Sequence, residues 1–551
     1  MGVEDRAEFL KDKLIIGIDL GTTKSAVSVW NEESGRAAIL RNSSKNDFTP
    51  SVVAWDRQNQ EWVVGESAKT FFNQRPGDVV YSIKRFIGRL FTDPEVIKNH
   101  RRMTYNLVSG GGNNQLEDVY VDFGEDSTSP QRQSAPKISA EVLKTLRQDA
   151  ANALNLPLES VKYAVITVPA YFNVLQRRAT ILAGQGAGLD VVDILNEPTA
   201  AALSHQDLLT PEDKRILVYD LGGGTFDISL IDAKRDQDGY AFYTQIVDGD
   251  THLGGDDIDA GLVDWLKKEI NAREQATVKP EDAITNAQLR LAAERAKVAL
   301  GEADTVAVNL TLDLGSRAPF DISVEVTREI LNECAAPVIA RAHEITKRAV
   351  TQIARRTWDE IDEVILVGGQ TLMAAIQKDV EELTGKKPKV SKRPQQDIAL
   401  GAGEYGRILS RGAEKFHQNT LLNVIALPIG VREGENEFHQ LVKANVQVPH
   451  QSPPHFVTNV ADNQTQIRVE VLQGPRDATF ADQCVPLGFL EMDIMPGPAK
   501  SHKFGIVLDV ESDGTMKVIV TDKHSNRSET KDIVETKTVI YAQEDGGDKN
   551  A

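Results

Sequence analysis

Two aspartates, Asp19 and Asp220, each end an apolar run and each open a turn of small residues. Residues 14–29 read LIIGIDLGTTKSAVSV and residues 216–230 read ILVYDLGGGTFDISL, so the chain writes one pattern twice. The turns carry Gly21, Thr22 and Thr23 in the first copy and Gly222, Gly223 and Gly224 in the second. Glycines let backbone N–H groups come close to an anion, and threonine hydroxyls add donors, so each turn can hold phosphate oxygens. The carboxylates would repel phosphate unless a Mg²⁺ that keeps most of its waters bridges the two. One glycine-rich hairpin turn is more often structural than functional. Two matched copies favour two facing halves that clamp one polyphosphate. The string GxxxxGK[ST] does not occur, which excludes a P-loop.

The elements that must hold these turns follow from periodicity. From about residue 13 to 411, short β-branched runs such as YAVITVPAYF and DEVILVGG alternate with stretches of helical spacing such as NVLQRRATILAGQGAGL and NAQLRLAAERAKVALG. That alternation predicts a layered α/β region. Residues 104–137 are polar and rich in Gly, Ser and Pro around one strand, LEDVYVDF, and predict exposed loops. From about 424 onward only short strands and turns remain, which predicts a separate all-β domain.

Composition narrows the partners. The 551 residues suffice for several domains, and 62 basic against 81 acidic residues give a net charge of −19. Such a surface repels nucleic-acid backbones and anionic lipid, so neither is expected as a direct partner. No run approaches the roughly 18 to 20 apolar residues of a membrane span. The two cysteines, Cys334 and Cys484, lie in regions that read as different domains, so no disulfide framework is expected. A cytoplasmic location fits.

The strings IGIDLGTTKSAV, SIKRFIGR, ITVPAYFNVLQRRAT, LNEPTAAAL, VYDLGGGTFDISL, GDTHLGGDDID, VILVGGQT and VLQG together resemble the 70-kilodalton heat-shock chaperones of the DnaK type, over residues 13 to 540. The resemblance implies an actin-like ATPase domain of two duplicated lobes at 13–411, after an N-terminal extension at 1–12. It also implies an interdomain linker at 412–423, a β-sandwich peptide-binding domain at 424–541 and an acidic tail at 542–551. ATP or ADP would lie between the lobes with Mg²⁺, and K⁺ as a further ion. Thr22, Thr23 and Gly222 to Gly224 would cradle phosphates, with Gly21, Gly254 and Gly255 beside them. Asp19, Glu197 and Asp220 would hold Mg²⁺ through water. Lys84 would place the attacking water or the γ-phosphate, and Thr225 and Asp227 would support the site. Glu294 and Lys297 would bind the ribose, and Gly368 and Gly369 would let the base lie on backbone. Val431, Phe456, Ile467 and Val469 would form the peptide pocket.

Departures from the family pattern are as informative. Leu372 stands where an Arg normally covers the adenine, Gly301 replaces a Ser that contacts the base, and Val298 also lacks a guanidinium. Losing one cation over a π face costs about 0.5–2 kcal/mol, so nucleotide binding is expected to weaken severalfold. Gly434 and Asn459 stand where an arch closes over the peptide, and no helical lid is expected after the β domain. Asp193 takes the place of an Arg, and Asn423 that of an Asp, in the region that meets J-domain proteins. The resemblance therefore implies a lidless chaperone whose ATP cycle controls transient contact with unfolded or nascent peptide, with a J-domain co-chaperone and a nucleotide exchange factor as partners. The alternative is a regulatory paralogue that serves as a nucleotide-bound platform for other chaperones or ribosomes. An actin-like filament protein is disfavoured by the β domain.

Overall fold

The computed structural model describes residues 8–111, 115–124, 128–205, 213–235, 240–274, 278–279, 282–314, 319–391, 393–411, 420–511, 514 and 516–534. The two acid-terminated runs become central strands of two sheets with the same order. Ile15–Asp19 pairs antiparallel with Lys24–Asn31, which continues antiparallel to Arg36–Leu40. On its other side Ile15–Asp19 runs parallel to Tyr163–Val168, which is followed in parallel by Asp190–Asn196. The second sheet repeats this. Lys214–Leu221 pairs antiparallel with Phe226–Arg235 and that with Tyr240–Asp250. Its parallel side carries Glu363–Val367 and then Lys389–Val390. Strands covered on both faces need continuous apolar runs rather than alternation. Ile16, Ile18, Leu217, Val218 and Tyr219 are accordingly all fully buried.

Two helices tie the sheets together. Glu197–Ser204 and Asp397–Leu409 cross in contact, and their closeness depends on absent side chains. A Cβ on Gly401 would lie 1.8 Å from the Ala200 carbonyl oxygen, and one on Gly17 would lie 2.2 Å from the Gly403 nitrogen. Around this crossing one apolar cluster takes Ile15 and Val165 from the first sheet, Val218 and Ile365 from the second, and Ile398 and Ala402 from the helix. Leu10 is buried in the same cluster and Phe9 packs edge-on against Tyr163, so the described end of the N-terminal extension is part of this core.

The stretch 104–137 is more ordered than its composition suggests. Asn106–Ser109 and Arg132–Ser134 flank Val119–Asp122 in a three-stranded sheet that buries Leu107, Val119 and Val121. Only alternate positions of these strands face inward, so few apolar residues are needed and the segment reads as loop.

Residues 420–534 contain two packed sheets. One has the order Glu437–Val442, Ile429–Glu433, Gln466–Gln473, Val485–Asp493. In the other, Lys503–Val510 pairs with His450–Gln451 and His455–Thr458 on one side and Met516–Asp522 on the other, with Ser528–Val534 at the edge. Their inner faces share one apolar core. Thr420–Leu422 leaves this region and pairs in parallel with Tyr240–Asp250, extending the second α/β sheet by one strand. Residues 412–419 of the expected linker and the tail at 542–551 lie outside the described residues. Among the described residues no helix is long and apolar enough to cross a membrane.

Candidate functional site

The duplicated turns face each other. A Cβ on Gly223 would lie 2.0 Å from Thr23 Oγ1, and one on Gly224 would lie 2.6 Å from Thr22 Cγ2. Gly254 closes the same spot from behind, since its Cβ would fall 2.7 Å from the Gly223 carbon and the Gly224 nitrogen. Within the second turn, Gly222 N–H donates to the Thr225 carbonyl at 3.0 Å. In the first turn, the Gly21 carbonyl accepts from Ser51 Oγ at 2.7 Å.

Beneath the turns lie four buried carboxylates: Asp19, Glu197, Asp220 and Asp227. Each arrives from a different local geometry. Asp19 ends its strand, Asp220 and Asp227 face each other across the antiparallel ladder, and Glu197 is the first residue of a helix, where the dipole favours an anion. Lys84 is also buried and donates to Glu197 Oε1 at 2.6 Å. Thr167 Oγ1 donates to Asp19 at 3.5 Å and the Tyr171 N–H to Asp227 at 2.9 Å.

Burial, and then the Glu197 charge, raise both Asp19 and Asp227 to about 7. Burial together with Glu197, Asp227 and Asp19 holds Asp220 well above the ordinary carboxylate range. Lys84 pulls all three the other way and Arg177 also lowers Asp227, but two cations do not balance four carboxylates. An all-oxygen donor set with uncompensated negative charge fits Mg²⁺. The packed glycines and threonines above it, whose contacts leave no room for larger side chains, fit a phosphate-holding lining.

On the far side, Lys297 is buried, donating to Asp259 Oδ2 at 2.9 Å and to the Gly255 carbonyl at 3.2 Å. Burial raises Asp259 to about 6 against the pull of Lys297. Glu294, one turn earlier, lines a recess together with Thr22, Thr23 and Arg290. Gly368 takes φ +85°, and a Cβ there would lie 2.4 Å from the Leu221 carbonyl oxygen, so Gly368 brings backbone against the Asp220 strand, while a Cβ on Gly369 would lie 3.0 Å from Gln395 Nε2. Leu372 and Val298 are 51% and 65% exposed, unusual for apolar residues.

A latch between the first and second α/β regions escaped sequence reasoning. Arg85 Nη2 donates to Asp257 Oδ2 at 2.6 Å, Ser82 Oγ donates to Asp256, and the Arg290 guanidinium lies 3.5 Å from the Tyr81 ring centre. The strings SIKRFIGR and GGDDID hold Ser82, Arg85, Asp256 and Asp257, yet nothing local says that the arginine of one meets the aspartates of the other.

The four peptide-pocket candidates are divided. Val431, Ile467 and Val469 are buried in one cluster between the sheets. Phe456 is 46% exposed on the outward side of its strand, with Lys503 Nζ 4.2 Å from its ring centre, and the neighbouring Val457 packs into the cluster instead. Gly434 occupies an open turn at φ +56° with nothing near its Cβ position. Asn459 is buried, accepting from the His502 N–H at 2.9 Å and donating to the Pro498 carbonyl at 2.7 Å, while Val460 beside it is 84% exposed.

At the junction, Asn423 Oδ1 accepts from Asn196 Nδ2 at 3.2 Å, and Asn196 Oδ1 accepts from Arg177 at 2.7 Å. Asp193 takes the Tyr405 hydroxyl at 2.8 Å. Asp193 and Asn423 thus each have partners of their own. Gln473, from the string VLQG, accepts from the Val174 N–H at 3.0 Å and joins the β region to the helix Val174–Gly186.

Comparison with known proteins gives the family. The model of the family described as Hsp70 protein matches residues 15–546. The chaperone protein DnaK of Buchnera aphidicola subsp. Schizaphis graminum (strain Sg) is 36% identical over 517 residues, which cover 94% of this chain and 77% of that protein. The platform alternative is not favoured by this likeness. The chain belongs to the Hsp70 family and is an Hsp70-type chaperone and ATPase.

Proposed function

We propose that residues 13–411 form an actin-like, two-lobed nucleotide-binding domain and that the facing turns are its phosphate site. Thr22, Thr23 and Gly222 to Gly224 hold the phosphates. Asp19, Glu197 and Asp220 hold Mg²⁺ through its waters, and Mg²⁺ bound there screens the charge on the β- and γ-phosphates. Lys84 positions the attacking water or the γ-phosphate, with Thr225 and Asp227 supporting the site. Glu294 and Lys297 take the ribose, and Gly254, Gly255, Gly368 and Gly369 let the nucleotide lie close to backbone. The observation that carries this reading is the contact of the two turns over a buried carboxylate cluster with a single lysine in its midst.

The β region, 424–541, acts in this reading as the peptide-binding sandwich, receiving an extended segment of unfolded protein by main-chain hydrogen bonding. Thr420–Leu422 on the sheet that contains Asp220, together with the Arg177–Asn196–Asn423 series, supports a linker that carries the state of the nucleotide site to the β region. J-domain and nucleotide exchange proteins are the partners, and the cytoplasm is the location. Single-turnover hydrolysis of ATP with and without a peptide and a J-domain protein tests the scheme. Acceleration by the two together is the expected result; hydrolysis indifferent to peptide would leave the ATPase reading standing and remove the coupling.

A further inference from the structure

At one end of the sandwich three apolar columns of the inner faces stop at ionisable side chains. Ile429 and Val431 are succeeded on the same face by Glu433. Leu441 is preceded by His439, which stands opposite Val431 in the ladder. Val457 is preceded by His455, which stands opposite the buried Ile506 on the second sheet. Three donors from three strands and two different sheets therefore meet at the mouth of the core.

Their geometry is that of a cluster and not of scattered surface groups. One ligand atom from each of Glu433, His439 and His455 lies within 4.8 Å of the others. His455 Nε2 is hydrogen-bonded to Glu433 Oε1, and His439 Nδ1 lies 3.7 Å from Glu433 Oε2. The two imidazole rings are stacked with centres 3.9 Å apart and planes 24° from parallel. Glu437 stands directly across the ladder from Glu433, and like charges so placed are unfavourable without a cation nearby.

We propose that Glu433, His439 and His455 form a binding site for a divalent transition metal of the zinc class, joining the two sheets of the β region. Two imidazoles and one carboxylate with a fourth position open to water is a donor set that Zn²⁺ accepts. Imidazole suits Zn²⁺, Cu²⁺ and Ni²⁺, whereas Mg²⁺ and Ca²⁺ prefer oxygen donors, so the site is chemically distinct from the carboxylate cluster of the α/β region. Donors about 2.1 Å from one ion at a tetrahedral angle lie about 3.4 Å apart, so no pair has to close by more than about 1.4 Å, and the His455–Glu433 pair opens slightly. The side chains of His439 and Glu433 are 44% and 28% exposed, which leaves them room to turn and gives an ion and a water a way in. The turn at Gly434 follows directly on Glu433, so a bound ion would fasten that hairpin tip to the strand His455–Thr458 of the opposite sheet.

The test is Co²⁺ titration of the untagged full chain, freed of metal with a chelator and held in excess Mg²⁺ to fill the carboxylate cluster, followed by visible absorption. One equivalent should saturate a band that equimolar Zn²⁺ removes. His439→Ala and His455→Ala should each weaken Co²⁺ by more than the roughly tenfold that loss of an outer-shell partner costs, and the double variant should lose the band. Zn²⁺ should raise the Tm of the parent and leave that of the double variant unchanged. Should the double variant melt early without metal, His439→Gln at the most exposed ligand carries the test alone. A titration without a saturable band would overturn the proposal, as would a band that persists in the folded variants.

Discussion

The facing turns of the α/β region, proposed as the phosphate end, and the core of the β region place their functional candidates by different means. At the phosphate end each residue sits within a few positions of a turn or helix start that orients it: Asp19 before Gly21, Asp220 and Asp227 on either side of Gly222–Gly224, Glu197 at a helix N-terminus. In the β region the candidates lie within strands, where the side to which a residue points depends on parity alone. Phe456 and Val457 differ by one position and face opposite ways. A side chain anchored by a turn keeps its place relative to that turn, whereas one placed along a strand changes face with a slip of one residue.

Four measurements would break or sharpen this contrast. The largest effect is expected from Lys84→Ala, which leaves four carboxylates without their lysine and, on the proposed reading, removes a charge next to the reacting phosphate. Single-turnover ATP hydrolysis should fall by about 10²-fold or more, and an unchanged rate would detach Lys84 from the chemistry. Next is Gly401→Ala, whose Cβ would meet the Ala200 carbonyl at 1.8 Å where the two tying helices cross. Overpacking of this kind costs about 1–3 kcal/mol. Urea unfolding should register it, and a variant as stable as the parent would mean that the crossing is loose.

Leu372→Arg should place a cation where the family resemblance expects one over the base and tighten ATP by up to about tenfold, equivalent to about 1.4 kcal/mol, as read by calorimetric titration. No gain would place Leu372 away from the base. The smallest effects concern parity. Val457→Ala removes two core-facing methyl groups and should destabilise the β region by about 1 kcal/mol, while Phe456→Ala on the outward face should change it by about 0.5 kcal/mol or less. The reverse ranking in paired thermal melts would invert the assignment of faces.

Much of the molecule was legible before its structure. The repeated acid-and-turn pattern announces two sheets built alike, because a buried strand followed by a tight turn and a second strand is a local object with a local signature. Glu197 before Pro198 reads as a helix start for the same reason. The three-stranded sheet within 104–137 was not legible, since strands of three or four residues with a single inward column carry too little apolar signal. Nor was the latch of Arg85 to Asp257, as the two are far apart in the chain and each looks like an ordinary surface charge until the fold buries Arg85 and half-buries Asp257.

What the sequence by itself determined is therefore what neighbouring residues settle among themselves: which segments are strands, where the turns lie, which acids sit beside glycines, and that the pattern occurs twice. The tertiary structure alone decided which turn faces which, that the strand Thr420–Leu422 joins the sheet of Asp220, that Phe456 looks outward, and that Glu433, His439 and His455 meet at one end of the sandwich. These depend on register and on contacts between distant segments, whose closure is set by the packing of the whole core and leaves no mark on the local order of residues.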